Sequence, residues 1–447
     1  MKSLREYLAL WSYTFGKSDI LQYLNELRQL ERLTVSDQLT LQQHHLLHLL
    51  EYADHYIPYY HDLFREIGFR PKDFSANPAT FSQIPLLTKE IIQQNYEKFI
   101  TTEPEKREQL IKIKTGGTTG EPLWLMQDPT YRAYNTAHVY QEMTWSGWQV
   151  GQPQTWLWGH PVVGAPSPVP GWLRFKDWLA NRTESNAFHI TDQSMELLAR
   201  HLEQQPGGVL WSYVSTLYRF ARFLEERGRT IRLRAAYTAA EPLYDAQRAY
   251  IENVLRCPVF NSYSCVEIGS IACECEQHQG LHIRPRNCYV EVLRDGTPTP
   301  DGEEGEFVLT TLTNYGFPLI RYRIEDWGRK TSRACPCGRG APLLEVVEGR
   351  IIDHFRAPDG KLVWGAFVIP MMPLLGPIRQ YQIVQQSETL LVFRVVKDGD
   401  LALEKFEDIR QAVRKVLGET VEARLEFVDS LPASPTGKHR YTVSEVQ

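Results

Sequence analysis

The segment Lys114-Thr-Gly-Gly-Thr-Thr-Gly-Glu-Pro122 places three glycines and three threonines in one short stretch between two apolar segments. Glycine lets the backbone approach a ligand closely, and successive backbone N–H groups in such a loop can bind phosphate oxygens. Thr115, Thr118 and Thr119 add hydroxyl groups that can donate to the same oxygens. The segment lacks the spacing ending in Gly-Lys-Ser/Thr that marks the common phosphate-binding loop. Taken alone, the segment also fits a surface turn, so other motifs are needed to distinguish a turn from a phosphate-binding loop.

The composition indicates a globular protein with more than one domain. The chain has 447 residues, which exceeds the roughly 250–300 residues at which single cores stop growing. The formal net charge of −5 argues against a nucleic-acid-binding protein. The N-terminal sequence lacks the pattern of a secretory signal, and no apolar run approaches the ~18–20 residues of a membrane span. The odd number of seven cysteines indicates reduced thiols or metal ligands, and we predict a cytoplasmic protein.

Hydrophobic periodicity predicts an α/β fold with two domains. Residues 1–90 read as mostly helical, with one apolar face formed by Leu46, Leu50, Ala53 and Ile57. From about residue 105 to 345, short apolar runs alternate with helical patterns, which is typical of an α/β core with crossover connections. After Gly349-Arg350 the pattern becomes that of a small α+β domain. We therefore predict a large domain over residues 1–348 and a small one over residues 349–447.

Further short segments follow the Gly/Thr loop in a specific order. They are Ala239-Ala-Glu-Pro-Leu243, Ser262-Tyr-Ser-Cys-Val-Glu267, Pro318-Leu-Ile-Arg-Tyr-Arg-Ile-Glu-Asp326, Gly349-Arg350 with Asp353, and Ser434-Pro-Thr-Gly-Lys-His-Arg440. This set and order resemble the phenylacetate–CoA ligase branch of the adenylate-forming superfamily, from about residue 40 to the end. That branch also contains synthetases that adenylate a coenzyme, and capsule-cluster proteins. The resemblance implies a large adenylate-forming domain with a helical N-terminal region, and a small mobile C-terminal domain.

Under this resemblance, several segments surround the adenosine of ATP. Tyr263 would stack on the adenine, and Asp326 would accept hydrogen bonds from the ribose, because two adjacent hydroxyls suit one carboxylate. Arg350 would reach the ribose or the phosphates. The backbone would approach the base edge and the nucleotide at Ala239, Ala240, Glu241, Ser262 and Ser264.

The same resemblance assigns the charged groups. In the implied reaction a carboxylate attacks the α-phosphate of ATP and releases pyrophosphate, so catalysis is mostly charge neutralisation and alignment. Glu267 would hold Mg²⁺, and Lys438 would be the catalytic lysine that neutralises the α-phosphate and the pyrophosphate. Asp353 is the candidate hinge of the small domain. The β- and γ-phosphates would be held by Thr115, Gly116, Gly117, Thr118, Thr119 and Gly120.

The chain departs from its relatives at several positions of this site. Ser264 replaces a glycine near the nucleotide, and Val266 replaces a residue whose hydroxyl contacts the α-phosphate. Gly116 stands where serine is common, and Ile324-Glu325 replaces Thr-Gly in the usual Arg-Thr-Gly-Asp. These changes bear on the rate and on the acyl acceptor, and they leave the main charged groups in place. A purely structural interpretation makes Glu267 and Asp326 helix caps or ion-pair partners.

Two separated segments can form a metal site. Cys273, Cys275, His278 and His282 lie within ten residues, and Cys335-Pro-Cys337 follows much later. One thiolate and one imidazole from the first segment, with two thiolates from the second, would complete a tetrahedral Zn²⁺ site, although spacing alone does not select the pair. Many members of the resembling branch carry such a zinc site, and on that match the ligands are Cys275, His282, Cys335 and Cys337. The metal would be structural, and free thiols are the alternative.

The resemblance predicts an AMP-forming ligase that converts a small carboxylic acid to an acyl-adenylate and then to a coenzyme A thioester. The segments Trp156–His160 and Trp211–Tyr218 are candidate walls of an apolar acid pocket, and an aromatic acid is one candidate substrate. In the first alternative the acyl group goes to an amine, a sugar or a carrier protein, or a cofactor is adenylated. In the second alternative the chain is a catalytically weakened nucleotide-binding partner protein.

Overall fold

The structure is a computed structural model that describes residues 19–115, 123–158, 175, 177–187, 191–350, 354–431 and 441–446. Its contacts divide the chain into two units. The first comprises Met1–Leu243 and Gln247–Val347, and the second comprises Tyr244–Ala246 and Glu348–Gln447. Among the helices that the structure describes, none combines the length and the apolar character that crossing a membrane requires.

The N-terminal region is helical and buries the predicted apolar face. Its helices are α1 (Ile20–Leu30), α2 (Val35–Tyr56), α3 (Pro58–Glu66), α4 (Pro71–Ala76), α5 (Lys89–Gln94) and α6 (Pro104–Arg107). Helix α2 begins after Thr34, whose side chain accepts a hydrogen bond from Asp37 N. It ends before Pro58, because the residue before a proline disfavours the helical conformation. The predicted face is completely buried at Leu46, Leu50, Ala53 and Ile57.

A short hairpin precedes the central sheet of the first unit. It consists of β1 (Ile111–Lys114) and β2 (Trp124–Gln127), which pair antiparallel. In the part of the chain that the structure describes, the central sheet has twelve strands. They are β3 (Gln154–Trp158), β4 (Arg182–Asn186), β5 (Gly208–Ser212), β6 (Leu233–Ala239), β7 (Val259–Cys265), β8 (Gly269–Glu274), β9 (Leu281–Ile283), β10 (Cys288–Arg294), β11 (Thr297–Pro298), β12 (Glu304–Thr311), β13 (Tyr322–Thr331) and β14 (Leu343–Arg350).

Half of this sheet is parallel. Strands β4, β3, β5, β6 and β7 are neighbours in that order, and each adjacent pair runs parallel. Among the described residues, the connections after β4, β5 and β6 contain the crossover helices α8 (Asp192–Glu203), α9 (Val214–Glu226) and α10 (Asp245–Leu255), whereas α7 (Pro129–Trp145) precedes β3. Strand β5, Gly-Val-Leu-Trp-Ser, is buried at every position, as expected for a parallel strand covered on both faces.

Aromatic side chains form a ladder across this parallel half. Trp156, Trp211, Tyr237 and Phe260 occupy paired positions on four neighbouring strands. Their ring centroids are 4.9, 4.8 and 5.1 Å apart in sequence order, and each pair is stacked. Trp211 is 3% exposed and lies in a hydrophobic core, so this part of the candidate acid-pocket wall packs against other side chains.

The other half of the sheet is antiparallel. It begins at β7, which pairs antiparallel with β8, and β8 pairs in the same way with β9. The sheet then continues through β14, β13, β12 and β10 to the edge strand β11. Strand β7 is therefore the border between the two halves, and it carries the segment predicted to contact the nucleotide.

The second unit is a small α+β domain, as predicted from the change of pattern. Its four-stranded sheet has the order β19 (Glu422–Phe427), β18 (Leu390–Lys397), β17 (Ile378–Ser387) and β20 (Thr442–Ser444), and a hairpin is formed by β15 (His354–Arg356) and β16 (Leu362–Trp364). Helix α11 (Phe406–Leu417) buries one face against this sheet through Phe406, Ile409, Val413 and Leu417.

Candidate functional site

The predicted phosphate-binding loop is the connection between β1 and β2. Lys114 and Trp124 are the last paired residues of this hairpin. The buried Thr115 donates its backbone N–H to Leu123 O (2.9 Å), and Thr115 Oγ1 accepts from Leu123 N (3.0 Å). Thr115 therefore closes the base of the loop. The remaining predicted loop residues lie outside the described residues: Gly116, Gly117, Thr118, Thr119 and Gly120.

Two predicted nucleotide segments follow neighbouring parallel strands. Strand β6 ends at Ala239, which is paired with Ser262 of β7. In open sheets of parallel strands, ligands bind beyond the carboxyl ends of the strands. Ala240 has a φ of 67°, so the chain turns sharply through a left-handed conformation directly after β6. The structure thus brings Ala239, Ala240 and Ser262 to the edge of the sheet where a ligand is expected.

The side chain of Glu241 has a structural role. Its two carboxylate oxygens accept hydrogen bonds from the backbone N–H of Ser215 (2.7 Å) and from the Ser215 hydroxyl (2.9 Å). Ser215 lies in the first turn of α9, where N–H groups lack helical partners and negative charge is stabilising. These bonds hold the Glu241 side chain against the start of α9, and the contact predicted for the base edge is one of its backbone.

Tyr263 and Asp326 come together from two separate strands. The Tyr263 hydroxyl donates to Asp326 Oδ2 at 2.6 Å, although the two residues are 63 positions apart in the chain. Burial, and then the negative charge of Asp326, raise the pKa of Tyr263 well above its ordinary value. The phenol therefore stays protonated and donates a hydrogen bond to the carboxylate. The structure thus links Tyr263, which was predicted to stack on adenine, to Asp326, which was predicted to bind the ribose.

Glu267 lies in the turn between β7 and β8. Its carbonyl oxygen accepts a hydrogen bond from the Tyr131 hydroxyl at 3.4 Å, and its side chain is half-buried. The neighbouring Val266 is 44% exposed, so an apolar side chain occupies the position where the family resemblance predicts a hydroxyl. Ser264 is half-buried on β7 and pairs with Ser270.

Three predicted residues cannot be placed around this site. Lys438 and Asp353 lie outside the described residues. Arg350 is the last residue of β14, and its side chain also lies outside the described part of the chain. Their assigned functions therefore stay predictions.

The four predicted zinc ligands form one cluster, which we call the cysteine–histidine cluster. The ligand atoms of Cys275, His282, Cys335 and Cys337 all lie within 4.8 Å of one another. Cys275 Sγ is 3.7 Å from Cys335 Sγ, and Cys337 Sγ is 3.3 Å from His282 Nε2. Two sulfurs bound tetrahedrally to zinc would be about 3.8 Å apart, given Zn–S bonds of ~2.3 Å. The donor set and its spacing therefore fit a tetrahedral zinc site.

The surroundings of the cluster favour the ligand form of its histidine. Burial, with the nearby charges of Arg284 and Arg339, lowers the pKa of His282 to about 3, so the ring is neutral at pH 7. The reserve candidates have other partners. Cys273 is completely buried and its thiol contacts Glu274 O at 3.3 Å, and His278 Nδ1 lies 3.2 Å from Glu274 Oε2.

Sequence reasoning did not identify Glu142, a completely buried carboxylate next to the site. Glu142 Oε1 lies 2.7 Å from Arg284 Nη2, and its oxygens accept from Ser270 Oγ (2.8 Å) and Ser262 Oγ (3.1 Å). The available signal was a glutamate in line with aromatic residues on one face of a helix, at Tyr131, Glu142 and Trp145. Such a position indicates a buried and therefore paired charge.

Comparison with known proteins agrees with this geometry. Residues 355–445 match the family described as the CapK C-terminal domain. The chain is 21% identical to protein CapK of Staphylococcus aureus, over 95% of this chain and 93% of that protein. It is 27% identical to the phenylacetate-coenzyme A ligase of Escherichia coli, over 92% of this chain and 95% of that protein.

The fold is identified by its similarity to a solved structure. The crystal structure of 2-hydroxyisobutyryl-CoA ligase in complex with 2-HIB-AMP matches with a TM-score of 0.74, covering 94% of this chain and 92% of that chain at 19% identity. The chain has the adenylate-forming ligase fold. The predicted family resemblance is confirmed, and so is the α/β class with a helical N-terminal region and a separate C-terminal domain.

Proposed function

We propose that the protein is an ATP-dependent ligase that converts a carboxylic acid to an acyl-adenylate and then to a thioester of coenzyme A. Relatives named phenylacetate-coenzyme A ligase support this reaction. The observation that carries the proposal is the 2.6 Å hydrogen bond from Tyr263 to Asp326, because it joins two predicted nucleotide contacts from distant parts of the chain.

The adenosine would be held between the segments after β6 and β7. A carboxylate can accept several hydrogen bonds, so the bond from Tyr263 to Asp326 is compatible with further bonds from the ribose hydroxyls. The bond also fixes the orientation of the carboxylate before ATP arrives. An aromatic ring such as that of Tyr263 offers a face for the purine, and the sharp turn at Ala240 exposes backbone groups for its edge.

The phosphates would be bound by the loop that Thr115 closes. The carboxylate oxygen of the acid forms a bond to the α-phosphorus as the bond from this phosphorus to the leaving pyrophosphate breaks. Glu267 supplies the carboxylate oxygen that Mg²⁺ prefers, and this cation neutralises phosphate charge when bound. Lys438 supplies an ammonium group to the α-phosphate and to the pyrophosphate. Arg350 would reach the ribose or the phosphates, and Asp353 would be the hinge of a mobile small domain.

The cysteine–histidine cluster would hold a structural Zn²⁺. Its four protein donors fill a tetrahedral coordination shell, so no position remains for a substrate. The cluster ties the β8–β9 segment, which carries Cys275 and His282, to the residues just before β14, which carry Cys335 and Cys337. We assign the metal to folding, not to the reaction.

A second candidate function keeps the adenylation and changes the acceptor. The C-terminal match is compatible with it, because residues 355–445 match the CapK C-terminal domain, whose name specifies no acceptor. The acyl group would then pass to an amine, a sugar hydroxyl or a carrier-protein thiol. The phenylacetate-coenzyme A ligase relatives favour an aromatic acid in either case.

Carboxylate-dependent exchange of labelled pyrophosphate into ATP tests the first step. We expect exchange with at least one member of a panel of aromatic and small aliphatic acids. The Lys438→Ala variant should lower the exchange rate by about 10²–10³-fold, the loss typical of removing one group that stabilises the charged transition state. The matched control is Lys415→Ala, an exposed lysine of α11, which should exchange like the wild type.

The second step is tested by adding coenzyme A. A thioester product supports the ligase, whereas exchange without a thioester supports a different acceptor. If no acid of the panel supports exchange, the protein is a nucleotide-binding partner and the proposed function is wrong.

A further inference from the structure

Helix α7 presents one face to the β7–β8 hairpin. Positions that are four, seven, eleven and fourteen residues after Tyr131 lie on the same side of a helix. In this helix they are Asn135, His138, Glu142 and Trp145. We call Tyr131, Asn135, His138, Glu142 and Trp145 the α7 stripe. Most of these side chains contact the hairpin or residues beside the cysteine–histidine cluster.

The first two members of the α7 stripe hold the tip of the hairpin. Tyr131 donates its hydroxyl to Glu267 O at 3.4 Å, and Asn135 Oδ1 accepts from Ser270 N at 3.0 Å. Gly269 lies between Glu267 and Ser270 with a φ of +78°, and a Cβ atom there would be 1.9 Å from Asn135 Oδ1. The positive φ and the contact with the Asn135 side chain together favour glycine in the turn that carries Glu267.

Glu142 holds both strands of the same hairpin. It accepts one hydrogen bond from Ser262, on β7, and one from Ser270, on β8. Arg284 balances its charge at 2.7 Å, and the two side chains are 0% and 4% exposed. Leaving a buried carboxylate without such partners is strongly destabilising, so Glu142 is held in the position where it meets Arg284 and both serines. Tyr263 follows Ser262 directly, and Glu267 lies between the two serines in the chain.

We propose that the α7 stripe, with Glu142 as its central member, positions the β7–β8 hairpin so that Tyr263 and Glu267 meet the nucleotide. This inference rests on the proposed function, because it assumes that these two residues bind ATP and its cation. Glu142 itself is a positioning residue, since its carboxylate is completely buried and acts through the serines.

The α7 stripe also reaches the cysteine–histidine cluster. The Trp145 ring centroid is 5.6 Å from that of His282, and the guanidinium groups of Arg284 and Arg339 lie 4.6 and 4.5 Å from the indole. Within the sheet, Ser262 pairs with Cys273, and Cys273 pairs with His282. Two strand spacings of about 5 Å therefore separate the cluster from the nucleotide strand.

The test compares Glu142→Gln with the exposed substitution Arg132→Gln on the same helix. Glu142→Gln keeps the size of the side chain and removes the charge that Arg284 and the serines need. We expect the KM for ATP in pyrophosphate exchange to rise by about tenfold with a smaller change in kcat, the loss typical of hydrogen bonds to a charged group. We also expect faster amide hydrogen exchange over residues 266–270 in the substrate-free variant. Arg132→Gln should change neither quantity.

The two readouts separate the possible outcomes. Unchanged hydrogen exchange over residues 266–270 overturns the proposal whether or not the enzyme is active. A lower melting temperature with an unchanged KM for ATP also overturns it, because that is the result of a purely structural role. If the wild type shows no pyrophosphate exchange but the hairpin still loosens in the variant, the proposed function fails and the positioning by Glu142 stands. If Glu142→Gln does not fold, Ser270→Ala removes one of its hydrogen bonds and gives the same test with a smaller expected effect.

Discussion

The cysteine–histidine cluster and the nucleotide segment of β7, Ser262–Ser264, lie two strands apart in the same sheet, but their side chains are held in opposite ways. The cluster donors contact one another, with sulfurs 3.7 Å apart. The side chains of the nucleotide segment are bound to other protein groups, as Tyr263 is to Asp326 and Ser262 is to Glu142. Thiols in mutual contact stabilise little by themselves, because S–H groups are weak donors and acceptors. We therefore expect the cluster to depend on a cation for folding, and the nucleotide segment to be preorganised without its ligand.

Removing one cluster thiolate should have the largest effect. We expect Cys335→Ser to lose its zinc and several kcal/mol of unfolding free energy, a fraction of the roughly 10–16 kcal/mol that structural zinc supplies to small zinc-binding peptides. Metal content by mass spectrometry and thermal unfolding with and without a chelator measure both quantities.

The neighbouring Cys273 provides the matched control for this prediction. It is completely buried and close in sequence, but it is not a member of the cluster. Cys273→Ser should therefore keep its zinc. Full zinc occupancy in Cys335→Ser, or zinc loss in Cys273→Ser, would show that the ligands are assigned wrongly.

On β13, where Asp326 accepts the hydrogen bond from Tyr263, Asp326→Ala should weaken ATP binding and have little effect on metal content. We expect the KM for ATP to rise by about 10- to 100-fold, because hydrogen bonds to a charged group contribute about 1.5–3 kcal/mol. ATP lacking one ribose hydroxyl provides the control, since it should be a poorer substrate for the wild type. The variant should no longer distinguish it from ATP, and continued discrimination would place the ribose elsewhere.

The hydrogen bond that orients Asp326 is tested by Tyr263→Phe. This change keeps the ring that would stack on adenine and removes the 2.6 Å bond, so we expect the KM for ATP to rise by about fivefold, or ~1 kcal/mol. The pKa of Tyr263 is raised by burial and by Asp326, so the wild-type hydroxyl stays protonated up to at least about pH 9. The difference between the two proteins should therefore be constant from pH 6 to pH 9. A difference that disappears within this range would show that the phenol is not the donor.

The exposed Val266 allows a change in the opposite direction. Val266→Thr adds the hydroxyl that the family resemblance predicts near the α-phosphate, and at 44% exposure the substitution should cost little stability. We expect the rate of pyrophosphate exchange to rise by about threefold, the equivalent of a weak hydrogen bond of ~0.7 kcal/mol. Val266→Ala provides the control, because it changes the size of the side chain without adding a hydroxyl. An equal gain in both variants would assign the effect to space instead of to the hydroxyl.

The two regions also differ in how far the sequence could predict them. The cluster donors were selected by their residue types and by a family resemblance, and their chemistry needs only that the two segments meet. The apolar face of α2 was predicted in the same local way, since it depends only on helical spacing. The contact between Tyr263 and Asp326 was implied only indirectly, because each residue was assigned a separate part of the nucleotide.

Glu142 could not have been assigned from the sequence. Its role depends on the pairing of β7 with β8 and on the approach of α7 to both strands, which are contacts between distant parts of the chain. The capping of α9 by Glu241 is similar, since its carboxylate meets Ser215 only after the parallel strands are aligned. Local pattern predicts which residues are buried, and the strand order decides which partners they meet.

The smallest expected effect concerns the backbone of β13 next to Asp326. Glu325 has a φ of 66° and lies directly before Asp326, at the position where the family resemblance predicts glycine. A residue with a Cβ atom in this left-handed conformation costs about 1–2 kcal/mol, and glycine avoids that cost. Glycine also makes the unfolded chain more flexible, which offsets part of the gain in stability. We therefore expect Glu325→Gly to raise the unfolding free energy by about 0.5 kcal/mol, measured by urea denaturation. Glu325→Ala keeps a Cβ atom and should bring no gain. A gain in the glycine variant alone would show that the contacts around Asp326 hold a strained backbone, whereas equal values would show that the segment carries no strain.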